Sequence, residues 1–353
     1  MQTLHRILEI SFCPCNNMHK TEDKQIENYI SGERFANTVP WIEQAEQEWW
    51  DEFSEFSEYT WGYNNNATAM KISRLHYLKK MANFLMFDTK SPEILEVGCG
   101  TGWVGRFLAQ MGAKVWGIDN SINAIQICHV NAKKDGVDAN TQYTCGSIEA
   151  LSGNKCQFDG VILHAVLHHL TYEEINNLLA SIKKALKPGG RLFVYEHECF
   201  DREAKTPLSV LIRKSQSLMT RLHRQIYDDM IRNNLIEKEH IEIMQNIGKW
   251  SEIHGSVGIT PKEFPFKENE LEKILSHYFV IKRKYFCTVM DYTFVHLAIL
   301  SNSIKFQKLL LHTIIRAASL FDRFLSVTGW AKYVDPKNRH IGWPFVGIEA
   351  VND

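Results

Sequence analysis

The chain has 353 residues, and its 40 lysines and arginines almost balance its 41 aspartates and glutamates, giving a formal net charge of -1. Its apolar fraction of 44% and charged fraction of 23% exclude a largely disordered or collagen-like chain. The near-neutral charge gives no support to a broad nucleic-acid surface, so no nucleic-acid partner is expected. No stretch approaches the roughly 18 uninterrupted apolar residues of a membrane span. The first residues carry no basic region followed by an apolar core, so we expect a cytoplasmic protein.

The apolar pattern divides the first 200 residues into three regions. Residues 1–40 have few periodic apolar positions and are predicted to be a weakly ordered arm. Residues 41–90 have helical spacing and many aromatic side chains, which predicts a helical cover. In residues 91–200, short apolar runs alternate with amphipathic stretches, which predicts parallel βαβ units and a sheet covered on both faces. The predicted strands there are 93–98, 114–119, 141–145, 158–164 and 190–196, and the predicted helices are 102–112, 121–135 and 171–187.

Regular alternation stops after this core. Residues 201–277 are predicted to be an inserted helical lid or substrate region, with a long helix that begins at Pro207 behind the N-cap Thr206. Residues 278–353 are predicted to hold closing strands, a helix near 304–327 and a C-terminal tail, and the runs 278–286 and 292–300 are predicted to pair antiparallel. The expected fold is therefore α/β: a Rossmann-like, doubly wound, mainly parallel sheet with an antiparallel final strand.

The most informative segment is the run Glu96-Val97-Gly98-Cys99-Gly100-Thr101-Gly102, at the end of the first predicted strand. Glycines here let the chain turn tightly and let a ligand lie on bare backbone. Asp119 follows at the end of the second strand, where a carboxylate can accept two hydrogen bonds from a ribose. The spacing from Gly100 to Gly105 also satisfies the dinucleotide fingerprint. The glycines alone therefore do not decide the ligand, and a nicotinamide oxidoreductase remains an alternative.

The stretches around this turn carry more information. The glycine run and its successor Gly117-Ile118-Asp119-Asn120-Ser121 resemble motif I and the following motif of class I S-adenosylmethionine-dependent methyltransferases. Four later stretches occur in the order found in that family: 146–149, 158–161, the Leu-His-His-Leu run at 167–170, and the Leu-Lys-Pro-Gly-Gly run at 186–190. The resemblance covers about residues 93–197. It implies S-adenosyl-L-methionine as the cofactor.

The resemblance also implies which residues bind that cofactor. Glutamate and glycines of motif I would face its amino-acid end, the acid after the second strand and its neighbour would hold the ribose, and the stretch at 147–149 would flank the adenine. Many relatives have an aspartate where this chain has Ser147, so backbone groups are expected to carry adenine recognition. The implied residues of the core are Glu96, Gly98, Gly100, Gly102, Asp119, Asn120, Ser147, Ile148 and, lining the pocket at the fourth strand end, His164.

A weaker resemblance lies upstream of the core. Glu48-Trp49-Trp50-Asp51, followed by Arg74-Leu75-His76-Tyr77, is similar to the amino-terminal segment of ubiquinone-pathway O-methyltransferases. In that family an arginine reaches the cofactor carboxylate, which a guanidinium fork suits, and the match assigns this role to Arg74. The alternative is that the tryptophans serve the core and Arg74 lies in a surface ion pair.

Three histidines are candidates for a catalytic base. His168 and His169 follow the fourth predicted strand and His197 lies at the end of the fifth, and both strand ends open onto the crevice of such a sheet. Imidazole, with a pKa of roughly 6.5, can remove the proton of a hydroxyl near neutral pH. The alternative is that one of the paired histidines serves packing or capping.

No metal is expected at this position. Some quinone O-methyltransferases that the chain resembles place a carboxylate-x-x-carboxylate-His cation site here, and the matching positions hold Ala165, His168 and His169. The loss of both carboxylates removes the oxygen ligands that Mg²⁺ prefers.

The long lid helix from Pro207 is predicted to be amphipathic and basic. It either packs its apolar face on the domain or lies on an anionic membrane and supplies a lipophilic acceptor, so residues 207–226 are a candidate for peripheral membrane contact. Its apolar stripe consists of Leu208, Leu211, Ile212, Leu218, Leu222 and Ile226, and its polar face carries Arg213, Lys214, Arg221 and Arg224.

Together the resemblance and the histidines imply a methyltransferase, with residues 91–200 as its S-adenosylmethionine-binding core. We expect it to act on a small-molecule, lipid or glycan acceptor at a hydroxyl oxygen, with a histidine as general base. The run His164-Ala165-Val166-Leu167 is not the Asn/Asp-Pro-Pro-aromatic run of enzymes that methylate amino groups of nucleic acids. Two alternatives stay open beside the oxidoreductase: carbon or nitrogen methylation of a small molecule, and a non-catalytic methyltransferase-like partner subunit. The oligomeric state is not predicted.

Overall fold

The computed structural model describes residues 44, 46–54, 67–148, 157–200, 205–233, 235, 265–289, 295, 305–334 and 344–353. The predicted arm at 1–40 lies outside these residues. So do the middle of the predicted lid, 236–264, and all of the predicted strand 292–300 except residue 295.

Helices and strands alternate through the core in the predicted order. The helices are α1 (46–54), α2 (Ala67–Leu85), α3 (Trp103–Gln110), α4 (Ile122–Lys134), α5 (Tyr172–Ala185), α6 (Pro207–Arg232), α7 (Glu270–Ser276) and α8 (Lys305–Thr328). The strands are β1 (Glu93–Val97), β2 (Lys114–Asp119), β3 (Thr141–Cys145), β4 (Phe158–His164), β5 (Leu186–Cys199), β6 (Phe266–Lys267), β7 (Val280–Thr288) and β8 (Phe345–Val351).

The strands form one sheet in the order β3-β2-β1-β4-β5-β8-β7, with the short β6 beside β5. β1 pairs in parallel with both β2 and β4, so the strand order reverses there and the ends of these three strands meet at a ligand-binding crevice. β8 runs antiparallel between β5 and β7. The predicted Rossmann-like α/β class, with an antiparallel final strand, is confirmed.

The predicted partner of the late strand is wrong. β7 pairs with β8, which lies in the segment predicted to be the tail, and Val295, the described residue of the run 292–300, is helical. β8 was missed because its short run contains a glycine and a glutamate, Gly347 and Glu349, which interrupt the apolar pattern. Periodicity alone does not identify such a strand.

Helices cover both faces of the sheet and bury its apolar side chains. On one face, Met81 of α2 and Phe107 of α3 belong to the buried cluster that includes Ile162; on the other, Leu179 of α5 packs with Leu163. α5 begins at a capping box, in which the side chain of Thr171 and that of residue 174 each accept a backbone hydrogen bond from the other residue.

Helix α6 begins as predicted but buries a different face. Thr206 is its N-cap and Pro207 its first residue. The prediction that the leucine stripe faces the domain is wrong, because the side chains of Leu211 and Leu218 are 60% and 61% exposed. Ile212 packs with Val289 and Leu325, and that contact sets the rotation of the helix. The residues that it buries are Ser209, Ile212, Gln216, Thr220, His223 and Met230.

Candidate active site

The turn after β1 has three glycines in the left-handed region of the backbone. Gly98, Gly100 and Gly102 have φ angles of 64°, 51° and 72°, which cost other residues about 1–2 kcal/mol each. A Cβ atom would lie 2.6 Å from Val166 at Gly98 and 2.8 Å from the Tyr143 ring at Gly102, but would meet nothing within 4 Å at Gly100. The backbone at Gly100 therefore faces open space, as a ligand that lies on it requires.

Glu96 lies beneath this turn. The side chain is 2% exposed, and its carboxylate accepts a 2.9 Å hydrogen bond from the N–H of Gly105 in α3. Burial raises the pKa of Glu96 to about 8, although that hydrogen bond and the charge of Arg106 act in the opposite direction. The predicted cofactor contact of Glu96 is thus accompanied by a structural one, which fixes the first turn of α3 to β1.

Asp119 fixes the same turn from the end of β2. Its Oδ2 accepts a 2.7 Å hydrogen bond from the N–H of Gly100, and its Oδ1 accepts one of 2.9 Å from the N–H of Ser121. Burial raises the pKa of Asp119, while the two backbone hydrogen bonds act to lower it. The residue stays partly exposed, and each carboxylate oxygen has a second lone pair. It can therefore still accept hydrogen bonds from hydroxyl groups.

The other residues predicted for the ribose and adenine lie beside Asp119. Asn120 is exposed, and its carbonyl accepts a hydrogen bond from Gln47 of α1. The N–H of Gly146 donates to the carbonyl of Asp119, which holds the start of the loop after β3 against β2. In that loop Ser147 is exposed and Ile148 is buried; residue 149 lies outside the described residues.

Arg74 and His164 both lie against the ring of Trp103. Arg74 of α2 is 4% exposed, and its guanidinium carbon lies 5.2 Å from the centre of the Trp103 ring, so a surface ion pair does not describe it. The His164 ring stacks on Tyr195 with centroids 4.2 Å apart. Burial, with the nearby charge of Arg74, lowers the pKa of His164 to about 3. The His164 ring is therefore neutral at physiological pH.

The loop after β4 is held by a carboxylate that the sequence did not single out. Glu196 of β5 is fully buried, and its Oε1 accepts hydrogen bonds of 2.7 Å and 2.5 Å from the N–H groups of Val166 and Leu167. Its Oε2 lies 2.6 Å from Nδ1 of His168, which is 3% exposed. The available signal was an acidic residue directly before His197, at the strand end opposite the paired histidines.

The structure brings the three predicted base candidates together. The centroid of the His168 ring lies 4.0 Å from that of the His169 ring and 4.8 Å from that of the His197 ring. Nδ1 of His169 lies 3.0 Å from the carboxylate of Glu46 in α1. The His197 ring packs against Phe345, with centroids 3.7 Å apart, and burial lowers its pKa well below the ordinary value.

Helix α1 contacts the loops on both sides of the crevice. Oγ of Ser121 donates a 2.6 Å hydrogen bond to Asp51, and the side-chain amide of Asn123 donates to the Asp51 carbonyl. Glu46 contacts His169 at the other end. Trp50 connects these contacts, since its indole N–H donates to Glu46 and its ring lies edge-on to His169.

The donors and acceptors of this crevice suit a cofactor with a ribose. Among the described residues, no three His, Cys, Asp or Glu side chains are placed to hold a metal ion. The open backbone at Gly100, the remaining acceptor positions of Asp119 and the neutral ring of His164 fit S-adenosyl-L-methionine in their chemistry.

Comparison with known proteins finds similarity in the core of the chain. A family model described as a methyltransferase domain matches residues 94–190. The ubiquinone biosynthesis O-methyltransferase of Nitrosococcus oceani is 30% identical over 158 residues, which are 44% of this chain and 60% of that protein. The sterol 24-C-methyltransferase of Kluyveromyces lactis is 29% identical over 164 residues, which are 43% of this chain and 42% of that protein.

A solved structure of geranyl diphosphate methyltransferase in complex with SAM aligns with 79% of this chain and 85% of its own, at 12% identity and a TM-score of 0.44. The aligned part of this chain spans 60% or less of the length of the two relatives named above.

Proposed function

We propose that the chain is an S-adenosylmethionine-dependent methyltransferase, and that it methylates a hydroxyl oxygen of a small-molecule, lipid or glycan acceptor. The match of residues 94–190 to a family model described as a methyltransferase domain supports this proposal. A proton must leave that hydroxyl as the new bond forms. The observation that carries the proposal is the cluster of three imidazole rings at the ends of β4 and β5, beside the glycine turn.

The residues proposed to hold the cofactor lie at or after the ends of β1, β2 and β3, at the end of β4 and on α2. The bound cofactor supplies a methyl group on a sulfonium, which is electrophilic enough to need no further activation. Asp119 and Asn120 are assigned to the ribose, and Ser147 and Ile148 to the adenine. The amino-acid end of the cofactor is assigned to Arg74, Glu96, Gly98, Gly100 and Gly102. His164 is assigned to the wall of the pocket.

Of the three histidines, His168 is the proposed base. A pKa held well below the ordinary value makes His197 a weak proton acceptor, and we assign it to the pocket wall with Phe345. His169 is bound to Glu46 of α1, which suits a role in holding the loop. His168 lies between them and is held by a buried carboxylate, as a positioned base requires.

The domain organisation that we propose keeps the predicted boundaries. Residues 41–90 form the helical cover, 91–200 the cofactor-binding core, 201–277 the lid or substrate region and 278–353 the closing part. α2 packs on the sheet through Leu78 and Met81, and α6 packs against the closing part through Ile212. These contacts support the cover and the lid as separate additions to one core.

Peripheral membrane contact through residues 207–226 is a second proposal, for a protein that is otherwise cytoplasmic. Leu211, Lys214, Leu218 and Arg221 recur on one face of α6, and all four are exposed. Exposed leucines beside basic residues suit an anionic bilayer surface. No described helix is long and apolar enough to cross a membrane. Co-sedimentation with anionic and neutral vesicles tests this contact; equal recovery with both would contradict it.

Calorimetric titration with S-adenosylhomocysteine tests the cofactor site. Replacement of Asp119 by alanine should weaken binding by about 1.5–3 kcal/mol, because a charged hydrogen-bond acceptor is lost. Asp138→Ala is the matched control, since it removes an exposed carboxylate and should leave affinity unchanged. No binding to the folded wild-type protein would contradict the enzyme assignment and favour a non-catalytic partner subunit.

Acceptor chemistry needs a separate test. Radiolabelled methyl transfer to hydroxyl-bearing quinones, lipids and glycans should depend on His168, and His168→Ala should lower kcat by about 10²–10⁴. Activity that survives this change would favour carbon or nitrogen methylation, which the sterol 24-C-methyltransferase among the relatives keeps open.

A further inference from the structure

We infer that Glu196 is the positioning residue that sets the tautomer of His168, placing the ring proton on Nδ1 and leaving the lone pair on Nε2 for the acceptor hydroxyl. The inference rests on the proposed use of His168 as the base.

When Glu196 is ionised, its hydrogen bonds leave one arrangement for this pair. Oε1 already accepts the N–H groups of Val166 and Leu167, and both bonds are made by backbone that cannot change its donor role. Oε2 is left for Nδ1 of His168, at 2.6 Å. An ionised carboxylate only accepts hydrogen bonds, so Nδ1 must carry the proton, and a neutral ring then has its lone pair on Nε2.

The surroundings fix this geometry. Glu196 is fully buried and His168 is 3% exposed, so water does not compete for the bond. Ala165, at the start of the loop, has a φ of 59°, a conformation that alanine rarely adopts and that persists where the neighbouring contacts enforce it. The two backbone hydrogen bonds to Glu196 begin at the next residue. The carboxylate therefore holds the loop and the ring together.

The charge of Glu196 is the variable that decides the tautomer. Burial raises the pKa of Glu196. The charge of His197, the hydrogen bonds from the two backbone N–H groups and the charge of His169 act to lower it. His168 itself faces His169 and His197, and beyond His169 lies Glu46. If Glu196 were protonated, its O–H would donate to Nδ1 and the ring proton would lie on Nε2. The two states therefore predict opposite tautomers.

Two-bond ¹H–¹⁵N correlation spectra of the full-length, ¹⁵N-labelled protein distinguish these tautomers, with His168→Gln to assign the signals. We expect the Nδ1–H tautomer of neutral His168 in the wild type. In Glu196→Gln, the amide oxygen must face the N–H groups of Val166 and Leu167, so its NH₂ group faces Nδ1. The ring should then change to the Nε2–H tautomer, as happens when an amide replaces the carboxylate of the serine-protease triad.

Glu198→Gln is the matched control, because Glu198 is a fully buried carboxylate two residues further along β5 whose partners are Lys284 and Asn269. It should leave the His168 tautomer unchanged. Once an acceptor is known, Glu196→Gln should lower kcat by about 10² or more with little change in KM.

An Nε2–H tautomer in the wild type, or an unchanged tautomer in a folded Glu196→Gln variant, would overturn the inference. If the variant does not fold, the tautomer of His168 in the wild-type spectrum alone decides whether the inference holds. Because the spectrum needs no acceptor, absence of methyl transfer would count against the proposed function without affecting this measurement.

Discussion

Replacement of Glu96 by glutamine should stabilise the cofactor-free protein, and the gain should grow with pH. Glu96 is buried beneath α3, where its carboxyl group accepts a hydrogen bond from Gly105. Burial raises its pKa from 4.5 to about 8. A glutamine amide has almost the same shape, its oxygen can accept the same hydrogen bond, and it does not ionise.

The magnitude follows from proton linkage. Below pH 4.5 the carboxyl group is protonated in both states, so its ionisation costs no stability. Between pH 4.5 and 8 the folded state keeps a proton that the unfolded state has lost, so the free energy of unfolding falls as the pH rises. At 1.4 kcal/mol per unit, the wild type loses about 3 kcal/mol by pH 7 and about 5 kcal/mol by pH 9. Glu96→Gln avoids this loss.

Urea unfolding of both proteins at about pH 5, 7 and 9 measures the difference. The stability advantage of Glu96→Gln should be small at the lowest pH and largest at the highest. Glu173→Gln removes an exposed carboxylate and should change stability by only a few tenths of a kcal/mol at every pH. A difference between Glu96→Gln and wild type that does not grow with pH would refute the reasoning, because it would show that Glu96 ionises normally in the folded state.

Two further changes test the packing of the glycine turn and of α1. Gly102→Ala combines a left-handed φ with a Cβ 2.8 Å from Tyr143 and should lower the unfolding free energy by about 3 kcal/mol. In contrast, Gly136→Ala, with a similar φ but open space, should cost about 1 kcal/mol; equal losses in thermal unfolding would count against the steric argument. Asp51→Ala, which removes the acceptor of the Ser121 hydroxyl, should weaken S-adenosylhomocysteine binding about tenfold. Glu52→Ala, at an exposed position of the same helix, is its control, and an equal effect of both would contradict a specific contact.

The geometry of the turn proposed to bind the cofactor was predictable because its sequence signals are local. Gly98, Gly100 and Asp119 fall within one strand–helix–strand unit, where the turn, the helix and the next strand end have a fixed relation. The structure adds a contact that the pattern did not contain, since the Asp119 carboxylate accepts a hydrogen bond from Gly100.

The acceptor side was less predictable because its contacts join distant parts of the chain. Glu196 binds Val166, 30 residues earlier, and only the pairing of β4 with β5 brings them together. Likewise, the buried face of α6 follows from the contact of Ile212 with Val289 and Leu325. The leucine spacing of the helix contains no information about those partners.

Helix α1 is placed to couple the two sides of the crevice thermodynamically. It contacts the loop after β2 through Asp51 and the loop after β4 through Glu46, so a ligand that shifts one loop changes the free energy of the contacts at the other. Such coupling is reciprocal: the factor by which the cofactor changes acceptor affinity equals the factor by which the acceptor changes cofactor affinity. A preferred order of substrate binding would then originate in this helix, which contributes none of the proposed base or cofactor-binding residues.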